Sequence, residues 1–180
     1  MYKIKSDIEG IAPVLFNRVV TLKGGRGKPT PEQEEEAAKE RVYRNSNGLY
    51  LPAANLKRAL RFGSIRATLK MGRASFEPYV RATVFIEPSE LEFGKEEPDF
   101  FLHSYVRIPP GTRGALIYKV RPGLNAGWKV SLIFNVFDDR IEEDKLKIAL
   151  ESAGLLIGVC DWRPEYGRFV IKKWEVKKEK

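Results

Sequence analysis

The order of hydrophobic periodicities along this 180-residue chain predicts an α+β fold read as strand, helix, strand, strand, helix, strand. Three observations carry that reading. Tyr2 to Ile8 alternates, with Tyr2, Ile4 and Ser6 on one side and Lys3, Lys5 and Asp7 on the other. Two segments carry apolar residues at steps of three and four: Leu56, Leu60, Ala67 and Met71 around Gly63, and Leu146, Ala149, Leu150 and Ala153. Between and after them lie β-rich runs. The succession is the βαββαβ, ferredoxin-like pattern, in which two helices cover one face of an antiparallel sheet.

The elements follow in order. Gly10 and Pro13 end the first strand, and Val14-Leu15-Phe16 returns the chain to the core. Lys23-Gly24-Gly25-Arg26-Gly27-Lys28-Pro29 is a basic, glycine-rich loop. Thr30 and Pro31 then read as an N-cap with proline at the first helical position, and Glu32, Glu34, Glu35 and Glu36 suit the positive end of the dipole. Few residues of that helix are apolar, so it is expected on the surface. Residues 22–48 are therefore expected as an inserted, thumb-like excursion in a single domain spanning residues 1–180.

Asn45-Ser46-Asn47-Gly48 is a turn, and a helix begins at Ala53. Tyr79 to Glu87 alternates as a strand, and Ser104 to Ile108 is a short strand stopped by Pro109-Pro110-Gly111. Ala115 to Val120 and Trp128 to Phe137 read as two strands joined by residues 121–127. Asp144 to Gly154 is a helix with acids before it and Gly154 as its cap, and Arg168 to Val176 is the last strand.

Hydrophobic residues make up 43% of the chain and aromatic residues 11%, enough for a core, while 31% are charged. Lys and Arg number 32 against 24 Asp and Glu, a formal net charge of +8. That excess favours a polyanionic partner, nucleic acid in the simplest case. A composition rich in Glu and Lys is also that of a thermophile's protein. One cysteine, Cys160, cannot close an intramolecular disulfide, and with one histidine, His103, no Cys or His metal cage is expected. No cofactor is expected either. The N-terminus has no apolar signal core and no stretch has the length of a membrane span, so a cytoplasmic location and no membrane partner are expected.

Two segments stand out as chemistry. The first is Gly48 to Arg61. Small and polar residues at its helix start, Asn55 among them, expose backbone N–H groups to an anion, and Lys57, Arg58 and Arg61 follow. Residues 52–81 carry Lys57, Arg58, Arg61, Arg66, Lys70, Arg73 and Arg81 against Glu77 alone. The second is Gly154 to Phe169. There Gly158 and Gly167 bracket a loop in which Arg163 and Arg168 suit phosphates while Trp162 and Tyr166 suit splayed bases. Ordinary structural roles fit the same residues: a solvated basic helix face, a core Trp162, and an Asp161–Arg163 pair fixing a turn. In the excursion, Lys23, Arg26 and Lys28 are further phosphate candidates.

Leu51-Pro52-Ala53-Ala54-Asn55-Leu56-Lys57-Arg58-Ala59-Leu60-Arg61 resembles the helix start of the RAMP superfamily, the RNA-binding subunits of CRISPR effector complexes. The glycine-bearing loop leading to Gly167-Arg168-Phe169 is similar to that superfamily's C-terminal glycine-rich signature, with Asp161-Trp162-Arg163-Pro164 where small residues are common. Ile8-Glu9-Gly10-Ile11-Ala12-Pro13-Val14-Leu15 fits its first strand and turn. The Trp-Arg-Pro-x-Tyr-Gly-Arg-Phe ending also resembles small phage-encoded proteins. The resemblance implies binding of single-stranded nucleic acid, RNA of the CRISPR-guide type first. It implies subunits repeated along a strand in an antiviral ribonucleoprotein or a phage module, with the excursion laid over a neighbour.

Three other classes stand beside this one. A metal-independent endoribonuclease would need a group to activate the 2′-hydroxyl, and His103, with Tyr105 nearby, is the weak candidate. A phage single-stranded DNA-binding or recombination protein would use the same cations. A structural or virion component would use the basic face for protein contact. The residues alone favour binding without catalysis.

Overall fold

In the computed structural model, residues 1–21, 29–107 and 116–178 are described. The elements, in order, are β1 (Tyr2–Gly10), β2 (Val14–Leu15), α1 (Pro31–Lys39), β3 (Arg44–Asn45), β4 (Gly48–Pro52), α2 (Ala53–Arg66), β5 (Lys70–Met71), β6 (Ala74–Ser75) and α3 (Glu77–Thr83). Then come β7 (Val84–Glu87), β8 (Glu90–Glu92), β9 (Phe100–Arg107), β10 (Leu116–Leu124), β11 (Lys129–Val136), α4 (Glu143–Ser152), a π-turn (Ala153–Ile157) and β12 (Phe169–Lys178).

The main sheet has the order β12-β1-β11-β7, every neighbouring pair antiparallel. Counting only those four strands with α2 and α4, the order in space is fourth, first, third, second, which is the ferredoxin-like arrangement expected from the sequence. The alternation of β1 sets its faces: Tyr2, Ile4, Ser6 and Ile8 turn inward and Lys3 and Lys5 outward. Helix α2 buries Ala53, Leu56, Ala59, Leu60, Gly63 and Ser64, and α4 buries Leu146, Ala149 and Leu150. At Gly63 the two helices meet directly, since a Cβ there would stand 2.2 Å from the Ala149 carbonyl oxygen. Phe16, Phe76, Phe134 and Phe169 fill the core, and Trp128 donates from Nε1 to the Ala12 carbonyl at 2.9 Å.

A second sheet, β2-β10-β9, stands beside the first. Here the sequence reading needs correcting. The runs at 115–120 and 128–137 are not neighbouring strands. β10 continues through Arg121-Pro122-Gly123 to Leu124 and pairs with β9 and β2, while β11 joins the main sheet. Pro122 fits because its carbonyl is what the ladder uses, accepting from the Phe16 N–H at 2.8 Å. The short strand expected from Ser104 begins at Phe100, and Ile108 lies outside the described residues.

Three further expectations change. Tyr79 to Glu87 is not one strand: α3 runs to Thr83, with Pro78 in its first turn and the Thr83 hydroxyl bonded to the Tyr79 carbonyl, and only β7 is extended. The Asp144–Gly154 helix does not stop at Gly154, which lies inside the π-turn against Phe169. Gly158, at φ 77°, ends it. Ala67 and Met71 lie beyond α2, whose last residue is Arg66.

Helix α1 does not lie free on the surface. Thr30 closes a capping box with Gln33, as its sequence implies, and one face then docks on β10. Glu34 is buried, pairs with the equally buried Arg41, and accepts the Val120 N–H at 3.0 Å. Ala37, Ala38 and Val42 are buried as well. Burial opposes the Glu34 charge, but Arg41, the Val120 N–H and Lys119 outweigh it and hold the carboxyl below the usual range.

Candidate nucleic-acid interface

The loop between the π-turn and β12 is shaped by residues in the left-handed region: Gly158 at φ 77°, Cys160 at 63°, Trp162 at 56° and Gly167 at 75°. At Gly167 no other residue fits, because a Cβ would meet the Val159 carbonyl oxygen at 2.0 Å. The loop closes on itself through Val159 N–H to Gly167 O at 2.9 Å and Tyr166 N–H to Trp162 O at 3.1 Å. It is pinned to the segment after β1 by Gly167 N–H to Pro13 O (2.7 Å) and Asp161 N–H to Leu15 O (3.0 Å). The strain at Trp162, worth about 1–2 kcal/mol for a left-handed non-glycine residue, is held by this frame.

Helix α2 touches the same loop. Asn55 Oδ1 accepts the Cys160 N–H at 2.9 Å, so the helix start and the closing loop form one surface. On that surface Trp162 and Tyr166 stack, their ring centroids 6.0 Å apart and planes 14° from parallel. Trp162 remains 41% exposed. The sequence reading missed Arg121 of β10, whose guanidinium lies over Trp162 at 4.7 Å. Arg121 Nε donates to Asp161 Oδ2 at 2.6 Å and its Nη1 to the Ser104 hydroxyl at 3.2 Å. So Asp161 pairs with Arg121, where the structural reading of the sequence had paired it with Arg163. No local signal marks Arg121, because β10 is brought to the loop by β2, which pairs with β10 on one side and with Asp161 on the other.

The other sequence candidates divide by helix angle. Asn55, Arg58, Phe62 and Arg66 are spaced three, four and four residues apart, so they share one side of α2. Arg58 is exposed, its guanidinium 5.7 Å from the Phe62 ring centroid, and Arg66 is exposed about 12 Å further along the axis. Lys57 and Arg61 face the opposite neighbour. Lys57 Nζ donates to the Val80 carbonyl at 2.5 Å and to that of Val84, capping the end of α3, and Arg61 Nε pairs with Glu77 at 2.5 Å. Burial, with Arg61 adding to it, pulls the Lys57 pKa down to about 8. Lys57 is thus a half-buried cation committed to two backbone carbonyls, where an open phosphate contact was expected, and Arg61 is held in an ion pair.

Lys70 sits exposed in β5, beyond the end of α2. Arg163 is half-buried in the loop, and Arg168 is exposed where β12 starts, its carbonyl accepting the Ile11 N–H at 2.9 Å. Lys23, Arg26 and Lys28 lie outside the described residues. His103 belongs to β9, not to this surface, and its Nδ1 stands 2.6 Å from the Tyr118 hydroxyl. Burial pushes the Cys160 thiol up to about 12, so it is a poor nucleophile. Among the described residues no three His, Cys, Asp or Glu side chains gather as a metal group, and no helix is long and apolar enough to cross a membrane.

No protein-family model and no curated protein matches this sequence. A solved structure, the cryo-EM structure of the Type III-B Cmr-beta bound to cognate target RNA, contains a chain of similar fold, with TM-score 0.53 and 12% identity. The match covers 98% of this chain and 61% of that one, so the present chain spans less than two thirds of its neighbour's length. What the two share at this identity is the α+β architecture.

Proposed function

We propose that this chain binds single-stranded RNA without cutting it, as a RAMP-type subunit of a CRISPR-like effector or a phage nucleic-acid module. The observation that carries the reading is the junction of Asn55 with Cys160, which joins the start of α2, with Arg58 one turn further on, to the loop that bears the Trp162–Tyr166 stack. In this reading Arg58, Arg66, Arg163 and Arg168 contact phosphates, Asn55 and Arg121 hold the platform, and a base extends the stack begun by Trp162 and Tyr166. Lys70 and the loop cations Lys23, Arg26 and Lys28 would contact the strand further out.

Two things support the choice of RNA and of an assembly. The architecture is that of a chain in a complex bound to target RNA. The sequence segments that resemble the RAMP superfamily, Leu51 to Arg61 and Gly154 to Phe169, meet at this surface. The test is the affinity for a labelled single-stranded RNA as salt is raised. Binding by phosphate contacts falls along a straight line in log–log form, by counterion release. Affinity that ignores salt, or an Arg58→Ala, Arg66→Ala double variant with the slope of the parent, would overturn the reading.

A further inference from the structure

The β9–β10 hairpin carries a second set of rings, away from the loop. Register places Tyr118 opposite Tyr105, Val120 opposite His103 and Pro122 opposite Phe101, so these six side chains share one face of the hairpin. Successive β9 rings on that face, Phe101, His103 and Tyr105, are about 6.7 Å apart along the strand. Tyr105 is 70% exposed and Phe101 41% exposed, so both rings are open to solvent. Tyr118 packs 5.5 Å from Tyr105 and 6.0 Å from His103, ring centroid to centroid.

Helix α1 overhangs this face and leaves a cleft of about 200 Å³ lined by Glu35, Lys39, Phe101, His103 and Val120. Its walls are a ring, an imidazole and a valine. Its rim carries one carboxylate and one ammonium, four residues apart on the same side of α1. The Glu35 carboxylate takes a hydrogen bond from the Tyr118 hydroxyl at 3.2 Å, and its second oxygen has no donor among the described residues. Lys39 Nζ gives one of its three protons to Glu36 at 2.8 Å.

We propose that this cleft is a pocket for one unstacked guanine of the bound strand, a reading that rests on the nucleic-acid function above. The chemistry selects the base. A carboxylate accepts, so it needs donors, and guanine alone among the four bases offers two adjacent donors, N1–H and the 2-amino group, to one carboxylate. Adenine and cytosine set a ring acceptor beside their amino group, and uracil flanks its single N–H with two carbonyls, all of which a carboxylate repels. The guanine O6, next to N1–H, falls to the ammonium side, where Lys39 stands. The flat faces of the purine lie against Phe101 and His103, and the adjoining nucleotides pass over Tyr105 and Tyr118.

The test compares labelled oligouridines carrying one central guanine or one central adenine. The guanine strand binds the parent protein about tenfold more tightly, within the range of one good edge contact. Glu35→Ala abolishes that preference while leaving the oligouridine affinity in place. Glu35 is exposed and bonds only to Tyr118, so its loss spares the fold, and an unchanged thermal transition verifies this. Equal affinity of the parent for both strands, or a preference that survives Glu35→Ala, overturns the pocket alone. Failure of every strand to bind overturns the nucleic-acid reading and the pocket with it. Trp162→Ala separates the two sites, since it weakens both strands equally and leaves their ratio unchanged.

Discussion

Asn55 Oδ1 accepts a hydrogen bond from the backbone N–H of Cys160 at 2.9 Å, across 105 residues of sequence. It is the direct tie between the start of α2 and the closing loop, and the Trp162–Tyr166 stack inherits its position from it. Removing the acceptor leaves a part-buried N–H unpaired. Asn55→Ala is therefore expected to lower stability by about 1–2 kcal/mol and to weaken RNA binding as well. Asn55→Asp, which keeps an oxygen in place, recovers most of both. Urea unfolding and anisotropy titration read the two effects separately.

Stacking and charge separate in the salt dependence. Trp162→Ala is expected to reduce RNA affinity about tenfold, as for one stacked base, with the salt slope unchanged. Arg58→Ala is expected to lower the slope by about one unit and affect all sequences alike. Titrations at several salt concentrations distinguish these outcomes. A slope change in Trp162→Ala without a loss in its affinity would contradict the assignment.

Two glycines with left-handed backbones differ in what surrounds them. At Gly94, φ 67°, a Cβ meets nothing within 4 Å, so Gly94→Ala costs only the backbone term, about 1–2 kcal/mol. At Gly167 the same change adds a collision with the Val159 carbonyl, so its cost exceeds that of Gly94→Ala and the loop must move. Thermal unfolding of both variants, with RNA binding lost only in Gly167→Ala, checks the contrast.

Lys57 predicts a rise of stability with alkalinity. Its folded pKa, about 8, lies below the ordinary lysine value because burial disfavours the charge. Between pH 8 and the unfolded value the unfolded chain holds a proton that the folded chain has lost, so stability increases with pH in that window. Lys57→Met removes this increase. Stability curves of parent and variant that stay parallel from neutral to alkaline pH would exclude the effect.

Glu34 works in the other direction. Its folded carboxyl titrates below its unfolded value, so the stability it contributes is present above the unfolded pKa and is lost as pH falls through the folded one. Breaking the pair by Arg41→Met leaves the buried Glu34 carboxylate of α1 without its guanidinium and is expected to cost about 3–5 kcal/mol. The double change Glu34→Leu, Arg41→Met restores most of that loss. Acid unfolding midpoints for the three proteins make the comparison.

The main sheet and its two helices were legible because each rests on a local pattern: the alternation of β1, the Leu56–Leu60 stripe of α2, and the Leu146–Ala149–Leu150 stripe of α4. Val80, Val84 and Ile86 misled, since β-branched residues fit a strand equally well, and the helical start at Glu77-Pro78 was the signal overlooked. Lys57 and Arg61 were separable from Arg58 by their angle to the buried stripe, which a helical projection gives from sequence. Arg121, Glu35 and Tyr118 were not readable at all. Each gains its place from a strand register or a helix docking that brings together positions distant in sequence.

The bare contact of α2 on α4 at Gly63 has a mechanical consequence. With no side chain between the two backbones there, α2 and α4 pack backbone against backbone, so any larger residue at Gly63 would push α2 outward and carry the loop tied to Asn55 with it. The β9–β10 strands are fastened to the same loop, since Arg121 pairs with Asp161, so the loop is held from the helical layer on one side and from the second sheet on the other.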